Sequence, residues 1–273
     1  MKQKLIITQY TDPICIWCYA LEPALRKIEF ILQDQVKFNS VLGLLVADSK
    51  EIIGEGVAAK IRFTQLKTEM KKHFQEAADR SGIPVSVKHM DMIRPEDITS
   101  LPASKAVAAM KLLDEYQANR YLRRIREAFH SDDLNTSEEK VLKELAKEFP
   151  VDQEKFRQYL ESKTAQKELE KELEICRQAG VRAFPTLKLE YGEKVRTLHG
   201  YVEYEALKEI IEELTDGELQ SAFSLSKEMT DTVVEELLAS KEFEKQERGD
   251  SYFLKVKKAA IGSCDPVSGI CNL

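Results

Sequence analysis

Two cysteines near the start of the chain, Cys15 and Cys18, are separated by two residues and follow an apolar run at 4–10. The residues after them have the spacing of an amphipathic helix, which predicts that a strand feeds a helix N-terminus here. Such a terminus offers unpaired N–H groups and partial positive charge, which stabilise a thiolate on Cys15. Cys18 is one helical turn deeper and can attack a mixed disulfide formed at Cys15. Zinc sites use the same spacing, so the flanking sequence decides.

A second chemically significant position is Pro185, in the segment 180–189. If Cys15 and Cys18 form a redox site of this strand-to-helix kind, we expect a proline in cis that faces them from a later strand. The segment has a helix-ending glycine, a short loop and a β-rich run entered through proline, which is tolerated at a strand start. Only about 5–6% of X–Pro bonds in folded proteins are cis. The cysteine pair favours the cis form at Pro185.

Two further cysteines, Cys264 and Cys271, lie in the tail with Asp, Pro, Ser and Gly between them. These turn-forming residues allow the two thiols to meet, as an auxiliary redox pair that relays with Cys15 and Cys18. A zinc site of all four thiols is chemically satisfactory, although six intervening residues are unusual for zinc. A third possibility is that the two cysteines have no function and lie in an exposed tail. The sequence does not decide between a redox pair, a zinc site and no function.

Three other residues could take part in chemistry, and a structural role is considered for each of them. Cys176 shares an apolar helix face with leucines and is predicted to be a buried thiol. Asp12 caps or turns the chain before Cys15, with proton acceptance from Cys18 as the alternative. Trp17 either forms a peptide-docking surface or packs against neighbouring helices. Apart from that zinc alternative no metal site is predicted, because no metal-binding spacing joins the histidines His73, His89, His130 and His199.

The elements that position these residues follow the order β-α-β, a helical stretch, then α-β-β-α. Predicted strands cover 4–10, 35–46, 187–191 and 194–199, and predicted helices cover 17–32, 57–81, 101–119, 120–130, 137–148, 152–160, 165–179 and 204–214. This pattern indicates an α/β chain with a mixed four-stranded central sheet. We expect one domain from 1–46 and 165–214, with a helical domain at 47–164 inserted into it. A C-terminal extension at 215–273 is predicted to hold helices at 219–223 and 226–240 and a short hairpin at 243–256.

The charge, the lengths of the apolar runs and the number of cysteines argue against several classes of protein. The 273 residues carry a net charge of −6 and show no basic stripe, so nucleic-acid binding has little electrostatic support. No apolar run reaches the ~18–20 residues of a membrane span, and the first strand begins too early to leave room for a signal peptide. Five cysteines do not suit a secreted disulfide framework. We therefore expect a cytoplasmic protein with reduced thiols and no membrane or nucleic-acid partner.

The segments 12–23 and 183–187 carry a resemblance to a known family. Asp12-Pro13-Ile14-Cys15-Ile16-Trp17-Cys18-Tyr19-Ala20-Leu21-Glu22-Pro23, with Ala183-Phe184-Pro185-Thr186-Leu187, resembles the DsbA-like branch of the thioredoxin superfamily, in particular its cytosolic FrnE-like dithiol-disulfide isomerases. The likeness covers roughly residues 3–214 in the family's order. It implies a thioredoxin fold with an inserted helical domain, to which the chain adds a small helical C-terminal extension.

The resemblance also implies an activity, which is disulfide exchange with protein or peptide thiols. A cellular thiol reductant would return the protein to its reduced form, and no cofactor is expected. Cys15, Cys18 and Pro185 would be catalytic, and Trp17, Phe184 and Thr186 would bind substrate. The chain departs from the family in two places, with Ile-Trp between the cysteines where strong oxidants have Pro-His, and with alanine at 183 where relatives often have glycine. Without that histidine we expect weaker oxidising power, hence a reductase or isomerase.

An alternative function comes from a related branch. The same Asp-Pro-x-Cys-x-x-Cys-x-x-Leu-Glu-Pro pattern at 12–23 is similar to the Firmicute adaptor that presents the regulator Spx to the ClpXP protease. That family keeps a DsbA-like fold but works as a binding module, and its Cys/His-rich N-terminal extension is absent here. Kappa-class glutathione transferase and chromene-carboxylate isomerase relatives are disfavoured, because they use a lone serine where this chain has Cys15.

Overall fold

A computed structural model describes residues 3–223, positions 235 and 239, and the segments 243–248 and 251–256. The chain divides into two compact units, Met1–Leu219 and Gln220–Leu273. The strands of the first unit are β1 Leu5–Thr11, β2 Val36–Leu42, β3 Thr186–Tyr191 and β4 Lys194–His199. Its helices are α1 Ile16–Leu32, α2 Lys50–Ile53, α3 Val57–Ser81, α4 Leu101–Lys111, α5 Glu115–His130, α6 Glu139–Ala146, α7 Gln153–Glu161, α8 Lys163–Gln178 and α9 Tyr204–Leu214.

The four strands form one mixed sheet in the order β2-β1-β3-β4. The central strand β1 runs parallel to β2 and antiparallel to β3. Its alternating residues Leu5 and Ile7 are fully buried, as expected of a strand covered by helices. Because Tyr10 pairs with Thr186, the end of β1 lies beside the start of β3. The loops that follow β1 and precede β3 therefore meet at one edge of the sheet.

Seven helices, α2 to α8, separate β2 from β3 along the chain. The second half of this segment, α4 to α8, shares an apolar core that includes Tyr121, Ile125 and Phe156. A buried ion pair joins this core to the sheet: Lys111 Nζ lies 2.7 Å from Glu172 Oε1, and the Leu42 N–H donates to Glu172 Oε2 at 2.5 Å. The predicted helical insertion is confirmed, while its boundaries at 47 and 164 stay a prediction.

Several predicted element ends differ from the structure. The expected helices at 101–119 and 120–130 divide earlier, after Lys111, because the Asp114 side chain accepts a hydrogen bond from the Gln117 N–H and begins a new helix there. Strand β2 ends at Leu42, four residues earlier than expected. The short helix α2 was not expected. Helix α6 begins at Glu139, two residues later than expected, and ends at Ala146.

In the second unit, strands β5 Phe243–Arg248 and β6 Ser251–Val256 pair antiparallel, which confirms the predicted hairpin. Most of the predicted helix at 226–240 lies outside the described residues, as do Cys264 and Cys271. Within the part of the chain that the structure describes, no helix is long and apolar enough to cross a membrane.

Candidate redox site

The loop between β1 and α1 places Cys15 at the N-cap of α1. Its backbone is extended, with φ −73° and ψ 114°, and its carbonyl accepts the N–H groups of Cys18 and Tyr19, both at 3.1 Å. The Asp12 carboxylate holds the loop by accepting the Ile14 N–H at 2.8 Å and the Leu45 N–H at 2.7 Å. These hydrogen bonds confirm the prediction that Asp12 shapes the turn before Cys15. Burial raises the pKa of Asp12, and these N–H donors act in the opposite direction.

The loop before β3 brings Phe184 and Pro185 to the same place. The Phe184–Pro185 peptide bond is cis. The Cys15 thiol donates to the Phe184 carbonyl, with 3.6 Å between sulfur and oxygen. Cys15 is only 5% exposed and Cys18 is fully buried, and both are free thiols. Residues that are 169 positions apart in sequence thus meet at the sheet edge.

Two of the residues predicted to bind substrate, Phe184 and Thr186, have side chains that contact the protein itself. The Phe184 ring lies directly against Gly43, where a Cβ would fall 1.8 Å from the ring atom Cζ. The Thr186 hydroxyl donates to the Ala183 carbonyl at 2.9 Å and lies 3.2 Å from His199 Nδ1, and Thr186 is 1% exposed. The Thr186 hydroxyl is therefore occupied within the protein, and a contact of Thr186 with substrate stays a prediction.

Trp17, between the two cysteines, is half-buried in an aromatic and cationic cluster. Its ring centroid lies 5.8 Å from that of Tyr201. The Arg80 guanidinium carbon, at the end of α3, lies 5.5 Å from the Trp17 centroid and 4.9 Å from the Tyr201 centroid. Of the two sequence-based readings, the structure favours packing of Trp17 against a neighbouring helix, here α3.

Sequence reasoning missed a buried charge cluster beneath the cysteines. Arg126, on α5, is fully buried and donates through Nη1 to Glu22 Oε1 and through Nη2 to the Thr11 hydroxyl. Glu22 belongs to α1 and Thr11 ends β1. One signal was available in the sequence: Arg126 falls on the apolar face of α5, four residues after Leu122 and three before Phe129.

The environment moves the pKa values of the two thiols in opposite directions. Burial raises the pKa of Cys18, but the hydrogen bond from Cys15, the charge of Arg126 and the Thr11 hydroxyl outweigh it and hold that pKa below its ordinary value. The hydrogen bond to Cys18, followed by burial, holds the pKa of Cys15 well above its ordinary value. The titration of this coupled pair belongs to both thiols together, and the expected stabilisation of a thiolate on Cys15 by the helix terminus stays a prediction.

The remaining described thiol, Cys176, lies away from the pair on α8. It is buried and donates to the Leu42 carbonyl at 3.4 Å. Burial raises the pKa of Cys176 to about 11. Among the described residues, no group of three or more His, Cys, Asp or Glu side chains could hold a metal ion. The auxiliary role and the zinc reading of Cys264 and Cys271 stay predictions, because both residues lie outside the described part of the chain.

A family model described as thioredoxin matches residues 9–209, which include both cysteines and Pro185. The chain belongs to the thioredoxin family. Among solved structures, this thioredoxin-family chain is similar to a candidate protein disulfide isomerase of Nitrosomonas europaea, at 20% identity over 80% of this chain and 98% of the other, with a TM-score of 0.62. It is also similar to the cytosolic disulfide reductase DsbM of Pseudomonas aeruginosa, at 19% identity over 83% and 99%, with a TM-score of 0.57.

A curated relative of this thioredoxin-family chain is an adaptor. The ClpXP adapter protein SpxH of Bacillus subtilis is 25% identical over 227 residues, which are 80% of this chain and 70% of the relative. The fold is therefore that of the DsbA-like oxidoreductases, as the resemblance implied. Relatives with this fold include both disulfide-exchanging enzymes and an adaptor.

Proposed function

We propose that the protein is a thiol-disulfide oxidoreductase that exchanges disulfides with protein or peptide thiols through Cys15 and Cys18. The observation that carries the proposal is the meeting of Cys15, at the N-cap of α1, with the Phe184 carbonyl in front of Pro185. This places a sulfur beside the backbone of a second loop, where an extended substrate can lie. Cys18 follows one turn deeper, within reach of any mixed disulfide at Cys15.

Reduction of a substrate then proceeds in two displacements. With the proton on Cys18, the Cys15 thiolate attacks the substrate disulfide. A bond forms between Cys15 and one substrate sulfur, and the other sulfur leaves as a thiolate that takes the proton from Cys18. Cys18, again deprotonated, attacks Cys15, forms the protein disulfide and expels the second substrate thiolate. Two electrons pass to the substrate, and a cellular thiol reductant returns them to the protein.

The proposed direction is reduction or isomerisation, in the cytoplasm. The dipeptide between the cysteines has no histidine to stabilise a thiolate, which lowers the stability of the reduced form. The similarity to DsbM, a cytosolic disulfide reductase, supports the same compartment and direction. Five cysteines in a chain of this size also suit a reducing compartment.

The test is reduction of insulin, or of a fluorescent peptide disulfide, with glutathione as the reductant. Cys15→Ser is expected to abolish exchange, because the attacking sulfur is lost. Cys18→Ser is expected to accumulate a mixed disulfide at Cys15, visible by mass spectrometry. The matched control is Cys176→Ser, which removes a buried thiol elsewhere and is expected to leave turnover within about twofold. Full activity of Cys15→Ser would refute the oxidoreductase assignment.

A second candidate function is an adaptor that delivers a regulator to a protease. Two observations favour it: the similarity to SpxH over 80% of this chain, and the 5% exposure of Cys15, which restricts direct attack on a folded substrate. An adaptor does not need its cysteines, so the Cys15→Ser/Cys18→Ser protein would still accelerate degradation of its regulator by the protease. Loss of that acceleration in the double variant would argue against a purely adaptor role.

A further inference from the structure

The outer edge of β2 has backbone groups that point away from the sheet. β2 is an edge strand, so every second residue turns its N–H and C=O away from β1. The Leu42 N–H donates to a side chain of α8, and the Ser40 carbonyl accepts from Lys111 Nζ at 2.5 Å, so both residues face outward. Gly43, just past the strand, faces inward, because its N–H donates to the Thr11 carbonyl. The even-numbered residues of β2 therefore form the outer edge.

Between Val36 and Ser40 the outward groups are open. The Val36 N–H donates to the Gln33 carbonyl. The next four groups along the edge, which are the Val36 C=O, the Phe38 N–H, the Phe38 C=O and the Ser40 N–H, bond to no other group of the described part of the chain. They alternate acceptor and donor, which is the pattern that an added strand pairs with. We call this stretch, 36–40, the open edge of β2.

The open edge lines a cavity of about 320 Å³ between β2, α1 and α5. All five residues from 36 to 40 belong to its wall, although their side chains alternate between the two faces of the sheet. The backbone itself is therefore accessible from the cavity. Leu25 of α1 and Leu122 of α5 supply apolar parts of the wall. The Ser40 hydroxyl donates to Asn119 Oδ1 at 2.6 Å, so α5 flanks the edge at that end.

A buried amide in the wall of this cavity lacks a partner. Gln9 is 6% exposed, and its Nε2 has no hydrogen-bond partner among the described residues. Leaving a buried donor unpaired is unfavourable, so a bound group with an acceptor oxygen would be favoured here. The register pairs Gln9 with Ser40, which places their side chains on the same face of the sheet. A side chain of an added strand on that face would approach the Gln9 amide.

The charges around the cavity favour a neutral acceptor. Glu22 and Glu29 line the wall on the α1 side. Both are paired with Arg123, at 2.9 and 2.8 Å, so they share one guanidinium. A further carboxylate would meet these two like charges, whereas the amide oxygen of a glutamine or asparagine would not.

A second copy of this chain fits the open edge poorly. Beyond Phe38 the edge is covered at Ser40 and Leu42 by side chains of α4 and α8, and α5 stands beside it. Two whole sheets that join edge to edge would need a longer open strand on each side. A single extended segment needs only the open edge and the cavity in front of it.

We propose that the open edge of β2 is a docking site for an extended segment of a partner protein. The segment pairs with Val36, Phe38 and Ser40 as an added strand and places a glutamine or asparagine side chain against Gln9. Main-chain hydrogen bonds would supply affinity, and the Gln9 amide would supply specificity. The inference goes beyond disulfide exchange and does not rest on it, because no thiol takes part in the docking.

The first test uses a library of acetylated pentapeptides in which every position varies among Thr, Val, Leu, Gln and Glu. The fluorescently labelled full-length protein should retain peptides with glutamine at one fixed position. These peptides are then titrated by fluorescence anisotropy. Ser40→Pro removes an outward N–H, which proline can do on an edge strand, and should weaken binding at least about tenfold. Ser40→Ala, the matched control, removes only the hydroxyl and should stay within about threefold of wild type.

Gln9→Leu tests the proposed specificity. Its affinity for the selected glutamine peptide should fall at least about tenfold, because the amide donor is lost. Wild type should prefer the glutamine peptide to the same peptide with leucine at that position, and Gln9→Leu should lose this preference. A role of Gln9 in stability alone would weaken both peptides equally.

Amide hydrogen exchange tests the open edge without any substitution. In the free protein the Phe38 and Ser40 N–H groups should exchange faster than those of Lys37 and Asn39, which face β1. A saturating selected peptide should slow exchange at Phe38 and Ser40 at least about tenfold and leave Lys37 and Asn39 unchanged. If Ser40→Pro does not fold, as judged by circular dichroism, this exchange pattern decides together with Gln9→Leu.

Three results would overturn the proposal. The first is a library in which no peptide is retained above the level of Gln9→Leu and Ser40→Pro. The second is peptide binding that leaves exchange at Phe38 and Ser40 unchanged. The third is protection of these two amides that rises with protein concentration without any peptide, which would assign the edge to pairing between copies of the chain. A protein that docks peptides but exchanges no disulfide would refute the proposed function alone.

Discussion

Replacement of Gly43 by alanine tests how closely the Phe184 loop is held against the sheet. Gly43 follows β2, and its N–H donates to the Thr11 carbonyl at 2.6 Å. An added Cβ would lie 1.8 Å from Phe184 Cζ and 2.4 Å from Cε1. Carbon atoms in contact need about 3.5 Å, so the ring must retreat by roughly 1.7 Å. The ring is rigid, and Phe184 also supplies the carbonyl that accepts the Cys15 thiol.

Two measurable losses follow from this displacement. Overpacking of this kind costs about 1–3 kcal/mol, which for a unit of about 200 residues lowers the melting temperature by about 2–12 °C. A reacting group misplaced by about 1 Å can lose about a hundredfold in rate, so disulfide exchange should fall by a factor between about 10 and 100. Thermal unfolding followed by circular dichroism gives the first loss, and single-turnover reduction of a peptide disulfide gives the second.

The double variant Gly43→Ala/Phe184→Ala provides the control. Removing the ring removes the collision, so the melting temperature of the double variant should match that of Phe184→Ala alone, and the double-mutant cycle should show strong coupling. A Gly43→Ala protein with wild-type stability and rate would refute the reasoning, because the ring would then have room that the structure does not give it. Additive losses in the double variant would refute it as well.

Two further predictions concern ion pairs. Glu172→Gln breaks the buried pair with Lys111 and should lower the free energy of unfolding by about 3–5 kcal/mol. The same change at the exposed Glu161, which pairs with Lys143, should lower it by at most about 1 kcal/mol. Equal decreases in the free energy of unfolding for the two variants, measured by urea denaturation, would contradict this prediction. The side-chain hydrogen bond from Arg94 holds the pKa of Asp97 below its ordinary value. The stabilisation by Asp97 is therefore present above about pH 4 and lost as the pH falls toward its folded pKa. Asp97→Asn should lower the melting temperature at pH 7, and the difference from wild type should shrink below pH 4 rather than stay constant.

The sheet and the segment around the cysteines could be predicted because their signals are local. Apolar, β-rich runs predicted all four strands of the main sheet, with the end of β2 four residues too late, and the apolar spacing after Cys15 predicted α1 to within one residue. Helix boundaries between 101 and 148 were less predictable. There a single side chain, Asp114, decides where one helix ends and the next begins, while apolar periodicity continues through the break.

The candidate site was only partly predictable for the same reason. Cys15, Cys18 and Pro185 stand in patterns that carry their own chemistry. The guanidinium beneath them comes from Arg126, which is 115 residues from its partner Thr11. An arginine within an amphipathic helix is normally read as part of the solvated face. Only the packing of α5 against α1 places this one beneath the cysteines, and no pattern within α5 announces that packing.

Ribosomal synthesis delivers the two halves of the dithiol site at different times. The cysteines belong to the first strand and helix, whereas the Phe184 carbonyl lies 169 residues later. At about 5–20 residues per second, translation separates them by roughly 8–34 s. During that interval β1 has β2 as a partner but lacks β3, and Cys15 lacks its carbonyl acceptor. The contact between the Cys15 thiol and the Phe184 carbonyl therefore forms only after most of the chain has been made.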